Sequence, residues 1–266
     1  MLACALGWGA ALRAQTPAIP AVTADAGVAA AQAWIGRALI LRGGYLGSEL
    51  EFDAGGRVKG SPKSTDWTLA GMDLAAVSRR PSGELELDGT RVAIGYNQGA
   101  HVFERHPQKD VKLRVVVPGA ADAGKVDAEL AAVFSQGIDP ALERSLPSYW
   151  SHYFLPQQPW PEDELKGVTI LGANGKVPVE LIMPVAEKKP EPETTLEARN
   201  AHVKGTVQAM LVVDAQGVPR RIVLRNPLGW GLDQQVSETL ARYRFKPGTM
   251  AGNAVTTEVI VNQEFQ

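Results

Sequence analysis

Between residues 37 and 117 apolar and polar positions alternate with a period of two, in short runs set apart by Gly, Asp and Pro. Residues 38–41 are an apolar run. Glu49-Leu50-Glu51-Phe52 alternates and leads into Asp53-Ala54-Gly55-Gly56, a strong turn signal. Trp67-Thr68-Leu69 and Leu74-Ala75-Ala76-Val77 read as two short strands. Glu84-Leu85-Glu86-Leu87, then Asp88-Gly89, then Arg91-Val92-Ala93-Ile94 predicts a hairpin turning at Asp-Gly. His101-Val102-Phe103 and residues 111–117 complete a set of about seven strands, which predicts an antiparallel barrel or sandwich.

On either side of this region the period lengthens. Asp25 is placed to cap a short helix running through Ala33-Trp34-Ile35. Val126, Leu130, Val133 and Phe134 form an apolar stripe at helical spacing. Asp139-Pro140 reads as an N-cap followed by Pro at the first helical position. Pro147 opens a short turn carrying Tyr149, Trp150, Tyr153 and Phe154, whose expected role is to pack the helices onto the β region. Residues 168–171 and 177–183 predict two more strands around Ala173-Asn174-Gly175. Residues 184–195, rich in Pro, Glu and Lys, read as an extended linker.

The last stretch alternates again. Val207, Ala209, Leu211 and Val213 point one way, with Thr206, Gln208 and Met210 opposite. Asp214-Ala215-Gln216-Gly217 suits a hairpin loop, and residues 220–225 form a second strand that Asn226-Pro227 stops. Leu232, Val236, Leu240 and Tyr243 then mark one face of a helix, closed by Pro247-Gly248. A last strand over residues 255–265 puts Val255, Thr257, Val259 and Val261 on one side. The order is β-β-α-β, with the helix free to cover one sheet face.

These residues resemble the C-terminal domain of TonB, the energy transducer of Gram-negative outer-membrane transport. The matching pieces are Glu197-Ala198-Arg199, Gly205-Thr206-Val207, Val213-Asp214 with Gly217, and Leu232-Asp233. Tyr243-Arg244-Phe245-Lys246-Pro247 matches the family's aromatic-Arg-Phe-x-Pro signature, and Gly252 and Val255 fall at the opening of its last strand. Thr194-Thr195 departs from the family, which usually carries Tyr-Pro there. The resemblance implies that the last strand pairs with an extended segment of a receptor.

Composition narrows the function. A net charge of −2 argues against general nucleic-acid binding. Residues 1–14 read as a shortened secretory signal holding Cys4, the one cysteine, so the mature chain is expected to lack thiol chemistry. His101, His106, His152 and His202 show no metal-ligand spacing. There is no nucleophile elbow, no Walker loop and no dinucleotide fingerprint, so neither an enzyme nor a cofactor or metal site is expected.

The expected organisation is α+β: signal 1–14, antiparallel β-rich domain 15–118, helical bridge with short strands 119–183, linker 184–195, and a small TonB-like domain 196–266. The expected function is that of a periplasmic binding protein that adds a partner's extended segment to its C-terminal sheet, with energy-coupled transport across the outer membrane as the role that the resemblance implies. Thr256, Glu258, Val259, Ile260, Val261 and Arg244 are the candidate contacts. The candidate partners are an outer-membrane TonB-dependent receptor, another envelope protein, or a second copy joined through the sheet edge. The alternatives are an envelope assembly module without energy coupling, and a ligand-binding β domain.

Overall fold

A computed structural model describes residues 25–160, 165–172 and 178–266. The expected signal segment, residues 1–14, and Ala173-Asn174-Gly175 lie outside the described residues.

The first unit comprises α1 (Ala26–Gln32), β1 (Leu39–Leu41), β2 (Glu49–Glu51), β3 (Gly71–Arg79), β4 (Leu85–Asn97), β5 (Val102–Val117), α2 (Ala123–Val133), β6 (Phe134–Gln136), α3 (Pro140–Ser145) and α4 (Ser148–Phe154). Its strands form a single sheet in the order β2-β5-β4-β3-β1-β6, antiparallel except for β2 against β5. Leu39, Leu41, Leu85, Leu87, Val115 and Val117 share a core with Trp34 and with Val126, Leu130 and Val133 of α2. The helix starts follow the sequence signals. Asp25 accepts from the Gly27 and Val28 amides, Asp122 from Lys125, and Asp139 from Leu142.

The expected barrel or sandwich is not formed. Among the described residues the sheet is open, because two pairs of expected strands are each one long strand. Asp88-Gly89 is not a turn but lies inside β4, where Leu74 pairs with Gly89 and Ala76 with Asp88 across a bulge. A Cβ at Gly89 would stand 2.2 Å from the Asp73 carbonyl oxygen, so the glycine serves close strand approach. Residues 101–103 and 111–117 likewise belong to β5, and the true hairpin turn is at 97–101, where the Asn97 side chain accepts from the Gly99 and Ala100 amides. Trp67-Thr68-Leu69 is a single 3-10 turn rather than a strand, because the buried Asp66 carboxylate caps the Thr68 amide.

The second unit contains β7 (Ile170–Leu171), β8 (Leu181–Ile182), β9 (Val185–Lys188), α5 (Leu196–Asn200), β10 (Gly205–Val213), β11 (Pro219–Asn226), α6 (Leu232–Ala241), β12 (Arg244–Lys246), β13 (Gly248–Met250) and β14 (Asn253–Phe265). Its sheet runs β11-β10-β14-β13-β8, with β7 parallel to β14. Val207, Ala209, Leu211 and Val213 are all buried, together with Leu232, Val236, Leu240 and Tyr243. At about 1.5–3 kcal/mol for each large side chain removed from water, this two-layer contact is the main stabiliser of the unit. The β-β-α-β order holds, with β12 and β13 inserted before the final strand. Part of the expected linker is also structured: β9 pairs with β12, Arg244 opposite Lys188 and Phe245 opposite Ala186.

Candidate functional site

The loop after β11 fixes the two units to each other. Pro227 ends the strand, and Gly229, Trp230 and Gly231 follow with φ of 77°, 57° and 73°. A Cβ on Gly229 would sit 2.2 Å from the Ile94 carbonyl oxygen, so only glycine lets the loop lie against β4. There the Tyr96 amide donates to the Leu228 carbonyl at 2.8 Å and the Trp230 amide to the Ile94 carbonyl at 2.9 Å. The Gln98 side-chain amide adds bonds to the carbonyls of Thr206 and Pro227, at 2.8 and 2.9 Å. The Trp230 ring tilts over His106 with centroids 4.5 Å apart.

Two buried carboxylates order this junction. Asp233, in the first turn of α6, accepts from the Leu228 and Gly229 amides. Asp66 accepts from the Thr68 amide and hydroxyl and from the Trp150 indole, while the Thr68 hydroxyl accepts from the Gly231 amide at 2.8 Å. Desolvation raises both carboxyls above their ordinary range, and for Asp233 the charge of Asp66 adds to the effect. Thr195 occupies the start of α5, accepting from the Ala198 amide and donating to the Trp230 carbonyl at 2.7 Å. The Thr194-Thr195 departure from the family pattern thus gives this chain a hydroxyl that pins α5 to the junction.

The edges of the C-terminal sheet differ. β11 packs against α4, and Trp160 lies between them, stacked on His152 with centroids 3.7 Å apart and with Arg221 over its ring. The aromatic group of α4 is packing, as expected: Trp150 is fully buried and meets Trp67, Phe103 and Phe154. β14 is different. β10 lines one side of residues 257–265; β13 and β7 line the other side only as far as Thr257. Beyond that point, among the described residues, no strand pairs with the second side of β14.

Glu258, Val259, Ile260 and Val261 all lie on this stretch, whose second side has no strand partner among the described residues. Val259 (8% exposed) faces inward, whereas Ile260 (37% exposed) faces out. Thr256 does not lie there, being buried and paired with Ile170. Arg244 is on the separate β9-β12 ribbon, and its guanidinium donates to the carbonyls of Ala241 and Tyr243 at the end of α6, a favourable place for a cation. The alternation also brings out Asn262 and Glu264, two exposed positions beyond the expected contacts to which the same period extends. Asn262 already accepts a bond from Gln208.

Residues 195–266 match the family model described as Gram-negative bacterial TonB protein C-terminal. The match covers the segment that carries the resemblance, so residues 195–266 form a TonB-type domain. Among solved structures, the solution NMR structure of the Pseudomonas aeruginosa TonB C-terminal domain matches at 15% identity, covering 36% of this chain and 93% of that one, with a TM-score of 0.25. No curated protein matches the chain.

Proposed function

We propose that this is a TonB-like protein of the cell envelope that binds an extended partner segment as an added strand on β14. The observation carrying this reading is that, among the described residues, no strand pairs with the second side of residues 258–265. Main-chain groups along it supply hydrogen bonds to any extended chain, and the outward Glu258, Ile260, Asn262 and Glu264 supply selectivity. The TonB-type domain supports an outer-membrane receptor or another envelope protein as the partner, and a periplasmic location.

Titrating the full chain with extended peptides of the kind that TonB-dependent receptors present, followed by amide hydrogen exchange, tests the proposal. Slowed exchange confined to residues 258–265 is the expected result, and Ile260→Asp weakens the peptide about tenfold. Unchanged exchange at saturating millimolar peptide rules out the edge as the site.

A second reading, an assembly module without energy coupling, draws on the linker. A transducing tether has to be free to extend. About a dozen residues at about 3.1 Å each span only some 35–40 Å, and here β9 is also held against β12. The two readings share the strand-addition surface and differ in whether peptide binding responds to the proton-motive force in intact envelopes.

A further inference from the structure

Arg91 is buried, only 6% exposed, and no other arginine among the described residues is buried. Four arginines in or next to the same sheet show how this protein usually treats a guanidinium. Arg42 meets Asp139 at 2.6 Å, Arg80 meets Glu86 at 2.7 Å, Arg105 meets Asp73 at 2.6 Å, and Arg114 meets Asp88 at 2.9 Å. Each of those is more exposed than Arg91 and each has a carboxylate. Arg91, the most costly to bury, pairs with none among the described residues. Its Nη2 donates to the Tyr45 and Gly47 carbonyls at 2.7 and 2.9 Å, and its Nη1 is sealed from solvent without a partner. A buried cation with no bonded counter-charge is costly to hold, so such a group points to a missing anion.

The backbone around Arg91 opens a space for one. Arg91 sits in a register shift between β4 and β5: Thr90 pairs with Lys112 but Val92 pairs with Pro107. Residues 108–111 therefore bulge away from the sheet. The cavity this leaves, about 150 Å³, is lined by Arg91, whose Nη1 lies just behind the wall, by Lys112 and Gln108, and by the apolar side chains of Leu69 and Val111. Glu197 of α5 also borders it and favours the charged guanidinium from a distance, without bonding to it. Desolvation lowers the Arg91 pKa to about 10, still charged at neutral pH. A volume of this size holds the equivalent of about five water molecules.

We propose that this cavity binds a small organic carboxylate, its acid group against Arg91 and Lys112 and its short apolar body against Leu69 and Val111. Carboxylate and guanidinium match as a charge-assisted pair, and the apolar walls disfavour a fully hydrated inorganic anion. The site is separate from the β14 edge and does not depend on the function proposed for it.

The test is amide NMR of the full chain at constant ionic strength, titrated separately with sodium propionate and with inorganic phosphate. Propionate is expected to give saturable shifts at Val92, Ala93 and Ser48, and phosphate at least tenfold weaker ones. Arg91→Met abolishes the propionate shifts. Lys112→Gln, at an exposed position that leaves the fold intact, weakens them several-fold, and Glu197→Gln leaves affinity equal or tighter. Absence of saturable shifts in the unmodified chain, or equal binding by Arg91→Met, overturns the site. Phosphate binding as tight as propionate overturns the assignment to an organic carboxylate.

Discussion

Asp66 and Asp233 show how a single buried carboxyl can set the pH response of the junction. Desolvation raises the folded-state ionisation of both above the ordinary value of 3.8. A raised acid binds more protons folded than unfolded, so its stabilisation is complete below the ordinary value and is lost as pH rises through the folded one. Surface acids run the other way. Burial works to raise Asp139, but the bonds from Arg42 and the Leu142 amide bring it down to about 2, so its contribution is present above 3.8 and is lost on acidification. The buried pair is isolated by comparing Asp66→Asn with the unmodified chain across acid to neutral pH in urea denaturation. The amide keeps one acceptor oxygen and turns a donor toward either Thr68 or Trp150, a loss of about 1–3 kcal/mol. That loss is expected to be largest in acid and to shrink toward neutrality, because the variant escapes the cost of ionising. A pH-independent difference would remove Asp66 from the titration.

At the scale of elements, the loop before α6 is the most constrained connection. Gly229→Ala puts a methyl group against the Ile94 carbonyl and a side chain at φ of 77°. The expected cost is roughly 1–3 kcal/mol or more in thermal unfolding, with the Tyr96 and Trp230 amides exchanging faster. Gly252→Ala, with a similar φ of 80° but open space around it, separates backbone strain from the clash and is expected to cost less. The same contrast explains what the sequence made legible. The TonB-type unit was readable because its burial follows one period for each element, as in Val207, Ala209, Leu211 and Val213. The helix caps at Asp25 and Asp139 were readable because capping is local. The expected turn at Asp88-Gly89 and the expected break between residues 103 and 111 both fall inside strands, because turn chemistry and bulge chemistry use the same residues and only the partner strand decides between them. Of the candidate edge, residues 258–261 could be chosen from the sequence. The pairing of Thr256 with Ile170 could not, since it depends on a contact more than eighty residues away in the chain.

At the scale of the molecule, the two units share one apolar cluster, which runs from Leu39 and Trp150 through Leu228 and Trp230 to Leu211 and Val259. Polar contacts cross the same boundary, from Gln98 to Thr206 and Pro227 and from Thr68 to Gly231. An interface of this kind couples the units, because unfolding either one exposes the apolar surface and orphaned carbonyls of the other. Denaturation of the full chain is therefore expected to follow a single transition. Tryptophan fluorescence, which reports on the first unit through Trp34, Trp67 and Trp150 and on the junction through Trp160 and Trp230, should coincide with amide exchange at β10 and α6. Gln98→Ala removes two junction bonds, and it is expected to lower the midpoint of both probes equally, by about 1–2 kcal/mol. Separate midpoints, or a shift of one probe alone, would mean that the TonB-type unit folds independently and that the open edge of β14 moves as a detachable module. Coincident midpoints mean that the edge is presented on a fixed body, and that a pull applied to a bound segment is resisted by the whole chain.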